Sequence, residues 1–577
     1  MSFGIGSMVD SSRGGRAAAP QPTPRLTPRA RPSVAFVWFA LLAIAAFFAI
    51  DSSATDAEAA ATHATLAPRL FETSHGCMAC HNGLTTSSGE NVSIGSSWRG
   101  SMMANSARDP YWQASVRREV LDNPQRRGEI EDACSICHMP MMRYQAMVDG
   151  REGQVFAHLP IANGDKDARA LAADGVSCTL CHQIVGAKLG DTASFNGGFV
   201  VDELMAAGQR PIFGLYDIDD GRQRIMHSAA GYAPTRGDHI RSSELCATCH
   251  TLFTSTHGPG GTEVARLPEQ VPFLEWKHSV YPERSSCQSC HMPVVAEPIA
   301  IASVLGHTRE RLARHDFRGG NFFMLGMLQR YSSELGVTAQ PEELEAGVRR
   351  AISLLERETA RLTIDSLHTT AGRLAATVVL RNQTGHKFPT AYPSRRAWLH
   401  VTLRDRAGVV VFESGAVAND GSITGNDNDA DATRFEPHYR SISRDDQVQI
   451  YESVMHDTAG RVTTGLLSAV RYVKDNRLLP EGFEKRTAST DIAVQGEAAE
   501  DADFLGGVDR VAYSIDVSKA SGPFELVAEL RFQPVSFRWA RNLRARQARE
   551  ITRFVAYYEA MASGSSVPVA SATVSVP

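Results

Sequence analysis

All ten cysteines of the chain stand in one signature that occurs five times: Cys77-Met-Ala-Cys80-His81, Cys134-Ser-Ile-Cys137-His138, Cys178-Thr-Leu-Cys181-His182, Cys246-Ala-Thr-Cys249-His250 and Cys287-Gln-Ser-Cys290-His291. A short helical turn puts residues i, i+3 and i+4 on one face. Two thiols so placed reach the two vinyl groups of a porphyrin and form thioethers, while the histidine beneath reaches the iron. The spacing therefore predicts five covalently bound c-type haems. The ten cysteines are the attachment points, and His81, His138, His182, His250 and His291 are the proximal iron ligands. Other chemistry of paired cysteines fits less well. Zinc ribbons place two such pairs about 15–20 residues apart and need no histidine after each. Disulfides within each pair leave the five following histidines without a role. A thioredoxin-like site is single.

Of the 19 histidines, five are accounted for by the motifs. A haem with two axial imidazoles needs one distal histidine besides the proximal one. His158, His227, His307 and His315 are the candidates for that role in the region of the motifs. For any one of them, a surface or hydrogen-bonded histidine is the competing reading, because no fixed spacing links proximal and distal partners.

Two further stretches are more specific: Trp98-Arg-Gly-Ser101-Met-Met103, and Glu275-Trp276-Lys-His-Ser279-Val-Tyr281 ahead of the last motif. With Cys-His-Met-Pro after both His138 and His291, Ser243-Glu-Leu before Cys246, and His315-Asp-Phe-Arg-Gly-Gly, they make residues 70–320 resemble the multihaem c-552/4 family. That family is typified by the tetrahaem cytochrome c-554, the electron acceptor of hydroxylamine oxidoreductase. There, W-x-x-S-x-H often carries a distal histidine. This chain has Met103 and Tyr281 at the two corresponding places. The resemblance implies a Met103 thioether as distal ligand of the haem on Cys77 and Cys80, and it leaves the coordination near Tyr281 open.

The elements that must position these residues are unevenly legible. Arg13, Arg16, Arg25, Arg29 and Arg31 precede an apolar run from Val34 to Ile50, which reads as a signal peptide or N-terminal membrane anchor over residues 1–61. Ala57-Glu-Ala59 favours cleavage. Residues 62–335 form the expected pentahaem region, mostly helix and loop, with helices at Ala107–Leu121 and Phe322–Leu335 beside haems. Pro341-Glu-Glu-Leu344 opens a helix with acidic residues at its positive end. Beyond Leu362 the apolar period becomes two, at Leu374–Leu380, Leu399–Leu403 and Phe524–Phe532, as in a β-sandwich. Residues 336–562 are thus expected as a helix plus a β-sandwich domain ending in a helix at Leu543–Ala560, and 563–577 as a Ser/Val-rich tail. The fold class predicted is α+β.

Three details of the C-terminal half bear on chemistry. His386, in Asn382-Gln-Thr-Gly-His-Lys-Phe-Pro, reads either as a distal ligand reaching back to a haem or as a turn histidine. Arg395 and Arg396 point to opposite faces of a strand, so at most one meets a haem propionate. Asp427-Asn-Asp429-Ala-Asp431 offers carboxylates for calcium, but Ala432 and His438 occupy the places where an EF-hand needs Gly and Glu.

A net charge of −5 with 21% charged residues points to neither nucleic acid nor an anionic membrane surface. The expected function is electron transfer outside the cytoplasm, in the periplasm or an equivalent compartment, along tethered haems. The expected partners are other cytochromes or a quinol or terminal oxidoreductase, and residues 34–50 offer a means of membrane association. The alternative is a multihaem oxidoreductase acting on a small nitrogen or sulfur compound at one open-coordinated haem. No C-x-x-C-K variant is present to mark such a site.

Overall fold

The computed structural model describes residues 69–161 and 168–577. The basic leader, the apolar run 34–50 and His63 lie outside the described residues. No helix among the described residues is long and apolar enough to cross a membrane.

From Arg69 to about Leu335 the chain is a succession of short helices and loops, with three two-stranded ribbons. The longest helix there is Pro110–Asp122, with Pro at its first turn and the Asp109 carboxylate accepting from Tyr111 N–H and Trp112 N–H. Few elements are longer, because five motifs take one or two helical turns each. Small apolar clusters form around Leu70, Phe71, Met139 and Met141, and around Leu84 and Val295.

The helix Pro341–Leu354 starts on a capping box between Gln340 and Glu343, as its acidic first turn predicts. Two sheets follow. One runs Val410–Ser414, Arg396–Arg404, Phe524–Gln533, Val567–Val576, with Ile450–Tyr451 on the far side of Arg396–Arg404. The other runs Ser441–Ile442, Val508–Asp516, Arg373–Asn382, Ala360–Thr370. All pairings are antiparallel except Ser441–Ile442 against Val508–Asp516. The alternating residues Leu374, Ala376, Val378 and Leu380 of one sheet and Leu399, Val401, Leu403, Leu526, Ala528 and Leu530 of the other are all buried. This is the packing of a β-sandwich.

The Ser/Val-rich end departs from the expected tail. Val567–Val576 is an edge strand in register with Phe524–Phe532, shifted once at Leu530/Arg531. Its β-branched alternation buries Val569 and Val576, which a short run of small residues hides from a hydrophobicity reading. The expected helix Leu543–Ala560 is two, Phe537–Leu543 and Arg549–Met561.

The described residues form one compact unit. The core of the sandwich is continuous with Phe322, Phe323, Met324, Leu325, Met327 and Leu328 and with Tyr111. A fragment starting at residue 340 therefore lacks the six core side chains of 322–328, besides Tyr111 and others, each large apolar one contributing about 1.5–3 kcal/mol on burial. We expect a fragment 318–577 to unfold in urea at a markedly higher midpoint than 340–577. Equal midpoints would show that the helix Phe322–Arg330 adds nothing to this core.

Candidate haem-binding sites

Each motif is built on a turn that closes with an i to i+4 backbone bond or lies within a helix. His81 N–H donates to Cys77 O at 3.0 Å, His182 N–H to Cys178 O at 3.0 Å and His250 N–H to Cys246 O at 2.9 Å. Cys134 to His138 end the helix Arg127–His138, and Cys287–His291 is itself a helical turn. The cysteines and histidine of each motif thus share a face, as thioether attachment above an axial imidazole requires.

The imidazoles are prepared as metal ligands. Nδ1 of His81, His138, His182 and His291 hydrogen-bonds to the carbonyl of Ile301 at 2.7 Å, Ser106 at 3.0 Å, Phe213 at 2.6 Å and Arg318 at 2.5 Å. A carbonyl can only accept, so Nδ1 carries the proton and Nε2 presents its lone pair. No hydrogen bond to these four Nε2 atoms occurs among the described residues. Burial lowers His182 and His291 and pushes His138 and His250 down to about 4, so the rings are neutral, the form that binds metal. His250 is walled in by protein, yet much of its surface is accessible.

Two ring pairs stand out. His182 and His315 have centres 6.3 Å apart and planes 17° from parallel, and His291 and His386 have centres 6.3 Å apart at 16°. Two imidazoles binding one metal from opposite sides, each at about 2.0 Å through a nitrogen about 1.15 Å from its ring centre, have centres about 6.3 Å apart. His315 and His386 also spend Nδ1 on backbone carbonyls, of Ala313 at 3.1 Å and Lys387 at 2.9 Å. Four histidines in two pairs therefore have ring centres at the separation that one shared metal ion sets, with Nδ1 of each spent on a carbonyl. The donor set fits haem iron.

The other sequence candidates are placed differently. His227 and His307 are exposed, and His307 lies 3.9 Å from the Asp219 carboxylate. His158 is bonded through Nδ1 to Gln154 O at 2.6 Å. Among the described residues none of the three forms a ring pair with a motif histidine. Surface helices and loops carry them, so chain proximity to a motif does not bring them beside one. Met103 packs in an apolar cluster shared with Cys134, Cys181 and Cys249, and its carbonyl accepts from Val176 N–H at 3.0 Å.

The two W-x-x-S stretches fold alike. Trp98 Nε1 donates to Val176 O at 2.9 Å and Trp276 Nε1 to Ser285 O at 2.9 Å, in each case two residues ahead of a motif. Ser101 Oγ and Ser279 Oγ donate back to the carbonyls of Trp98 and Trp276 at 2.7 and 2.6 Å. Each module thereby docks on the approach to a haem-binding turn, Cys178 or Cys287.

The motifs are also brought together. The thiols of Cys77 and Cys178, of Cys137 and Cys249, and of Cys246 and Cys287 lie close enough to perturb one another's ionisation. Cys181 lies within electrostatic reach of Cys249 and Cys246. The imidazoles repeat the pattern: His81 acts on His182, His250 on His138, and His291 on His250. The cysteines give one connected series, first motif to third to fourth, with the second and the fifth each adjoining the fourth; the imidazoles repeat all of these links except that between the third and the fourth. Cys290 is the most exposed of the ten cysteines.

Other polar groups resolve the remaining sequence questions. Arg396 is buried and bidentate to Asp429 at 2.8 and 2.9 Å, whereas Arg395 acts on His250 and on Asp109. Asp427 pairs with Arg434 and Asp431 accepts from Thr433 N–H. The carboxylates read as calcium donors are thus spent on arginine and backbone. His438, Asp501 and Asp509 form a compact buried group in the sandwich. However, His438 Nδ1 accepts from Gln449 and Asn476 amides, whose orientations are set by Tyr439 N–H and Glu452 N–H. Nε2 therefore carries the proton and donates to Asp501 at 3.1 Å, which closes this histidine to a cation.

No family model matches the sequence, and no curated protein matches it. Among solved structures the chain is similar to a penta-heme cytochrome c552 from Thermochromatium tepidum, at 15% sequence identity and a TM-score of 0.47, over 88% of this chain and 99% of that chain.

Proposed function

We propose that this protein transfers electrons, outside the cytoplasm, along five covalently bound c-type haems. The observation that carries the reading is the five Cys-x-x-Cys-His turns, each with its cysteines and histidine on one face, which the fold brings near one another. Haem, when bound, supplies a one-electron iron couple. The chain's own part is to hold, orient and tune it. Sulfurs this close set the attachment edges of neighbouring sites side by side, and electron tunnelling falls steeply with distance. The fourth motif, His250 with Cys246 and Cys249, is the junction through which the others communicate. The exposed surface around Cys290 is the docking place for a redox partner protein, and the segment 34–50 is the membrane signal or anchor. His315 serves as second axial ligand opposite His182.

Intact-mass measurement of the mature protein tests the reading, with an increase of five haems expected. Fewer would remove it. The Met103 thioether, a weaker donor to ferric iron than imidazole, raises the potential of the haem it faces. We expect Met103→His to lower one potential, to leave four nearly unchanged and to abolish a ferric methionine-to-iron charge-transfer band. A wild type without that band leaves Met103 as packing only.

One observation favours the oxidoreductase alternative. Glu119 and Glu269 are buried beside Cys134 of the second motif, and burial raises Glu119 and pushes Glu269 up to about 7. Protonatable carboxyls at a haem suit the proton-coupled reduction of a small molecule. Binding of carbon monoxide to the ferrous wild type, with a carbonyl stretching frequency that shifts in Glu269→Gln, would assign such a site to the second motif; a wild type that binds none would remove this alternative.

A further inference from the structure

We infer that the C-terminal β region supplies the second axial ligand of the haem at the fifth motif, His386, and that Glu275, Ser279 and Tyr281 are positioning residues that clamp the loop carrying it. The inference rests on the haem reading above. His386 lies between the strands Arg373–Asn382 and Arg396–Arg404, far along the chain from Cys287 and Cys290. Its ring faces that of His291 at the separation a shared metal ion requires. Both Nδ1 atoms are committed to carbonyls, of Arg318 at 2.5 Å and Lys387 at 2.9 Å, so both Nε2 lone pairs are free.

The clamp grips both sides of His386. Tyr281 Oη donates to Gln383 O at 2.8 Å, and Ser279 Oγ lies 3.5 Å from Gly385 O. Lys387 N–H and Thr390 Oγ donate to one oxygen of Glu275 at 3.1 and 2.6 Å. A Cβ on Gly385 would stand 3.1 Å from Trp276 Cδ1 and 3.2 Å from Tyr281 Cγ, so a glycine lets the loop lie against both rings. Glu275 also pairs with Arg477 at 2.9 Å, Arg477 with Asp475 at 2.7 Å, and Asp475 with Lys387 at 2.7 Å. Two carboxylates and two cations, none more than 7% exposed, are affordable in a dry interior only when each meets its partner. Four residues from three chain segments meet that condition in one arrangement, which fixes Lys387 and with it the neighbouring imidazole. Tyr281 thus stands at the position of a ligand but contributes a hydroxyl that steadies the ligand brought in from elsewhere.

The test uses the full-length holoprotein. His386→Ala should keep five haems by mass and convert one ferric haem from low to high spin in electron paramagnetic resonance. Added imidazole should restore the low-spin signal, and the reduced variant should bind one more carbon monoxide than the wild type. His386→Met keeps a donor at the iron and should raise one potential while four stay put. Glu275→Gln and Tyr281→Phe should keep five haems and make the same haem partly high-spin, reversibly with imidazole. Five bound haems with no spin or potential change in either His386 variant would overturn the inference and leave the haem reading intact. A wild type lacking the fifth haem would overturn the haem reading itself.

Discussion

Asp475→Ala should remove a large share of the stability of the folded chain. Burial alone would raise the Asp475 carboxyl, but Arg477 and Lys387 together hold it well below the usual carboxylate range. Its oxygens accept from Arg477 Nε and Nη2 at 2.8 and 2.7 Å and from Lys387 Nζ at 2.7 Å, all buried. Deleting the carboxylate leaves two cations in the interior with Glu275 as their remaining acidic neighbour. Breaking a buried pair in this way costs about 3–5 kcal/mol, against a total stability of roughly 5–15 kcal/mol. The denaturant midpoint of the holoprotein reports the loss. A cost below about 1 kcal/mol would mean that water reaches the network and that it fixes nothing.

Replacing all ten cysteines by serine should leave residues 69–335 without a stable fold. The apolar clusters there leave the cysteines and histidines of the motifs only partly covered by protein, which places the haem volumes between them. A cavity for a ligand of a few hundred Å3, left unfilled at about 24 cal/mol per Å3, costs several kcal/mol per site. Five such sites exceed what any single domain holds in reserve. Limited proteolysis should digest this region rapidly in the serine variant and spare it in the holoprotein, while strands of the sandwich core resist longer. Native helix content and cooperative unfolding in the serine variant would show that the protein core alone suffices. That outcome would remove the structural role given to the haems.

Much of the C-terminal fold was legible because strand period is local. Leu374 to Leu380 and Phe524 to Phe532 alternate in the sequence and alternate in burial. The edge strand Val567–Val576 was missed because small residues dilute the same alternation. Distal ligands were the least legible part. His227, His307 and His158 lie near motifs along the chain but have no motif histidine beside them. His386 was readable as a turn histidine just as well as a ligand, and nothing local decides between them. The Glu275, Lys387, Asp475 and Arg477 network carries no sequence signal at all, since its members are joined only by the packing of separate segments.

By itself the sequence determined the five Cys-x-x-Cys-His signatures and the mixed α+β character of the fold. These depend on i, i+3 and i+4 geometry and on period-two patterning, both properties of a few consecutive residues. The tertiary structure decided which motifs adjoin, that the fourth is the junction, and that His315 and His386 face His182 and His291. Those relations depend on contacts across tens to hundreds of residues, where a ring must arrive within a few tenths of an ångström of one separation. Only the packed chain, with its buried charges paired and its core closed, fixes distances of that kind.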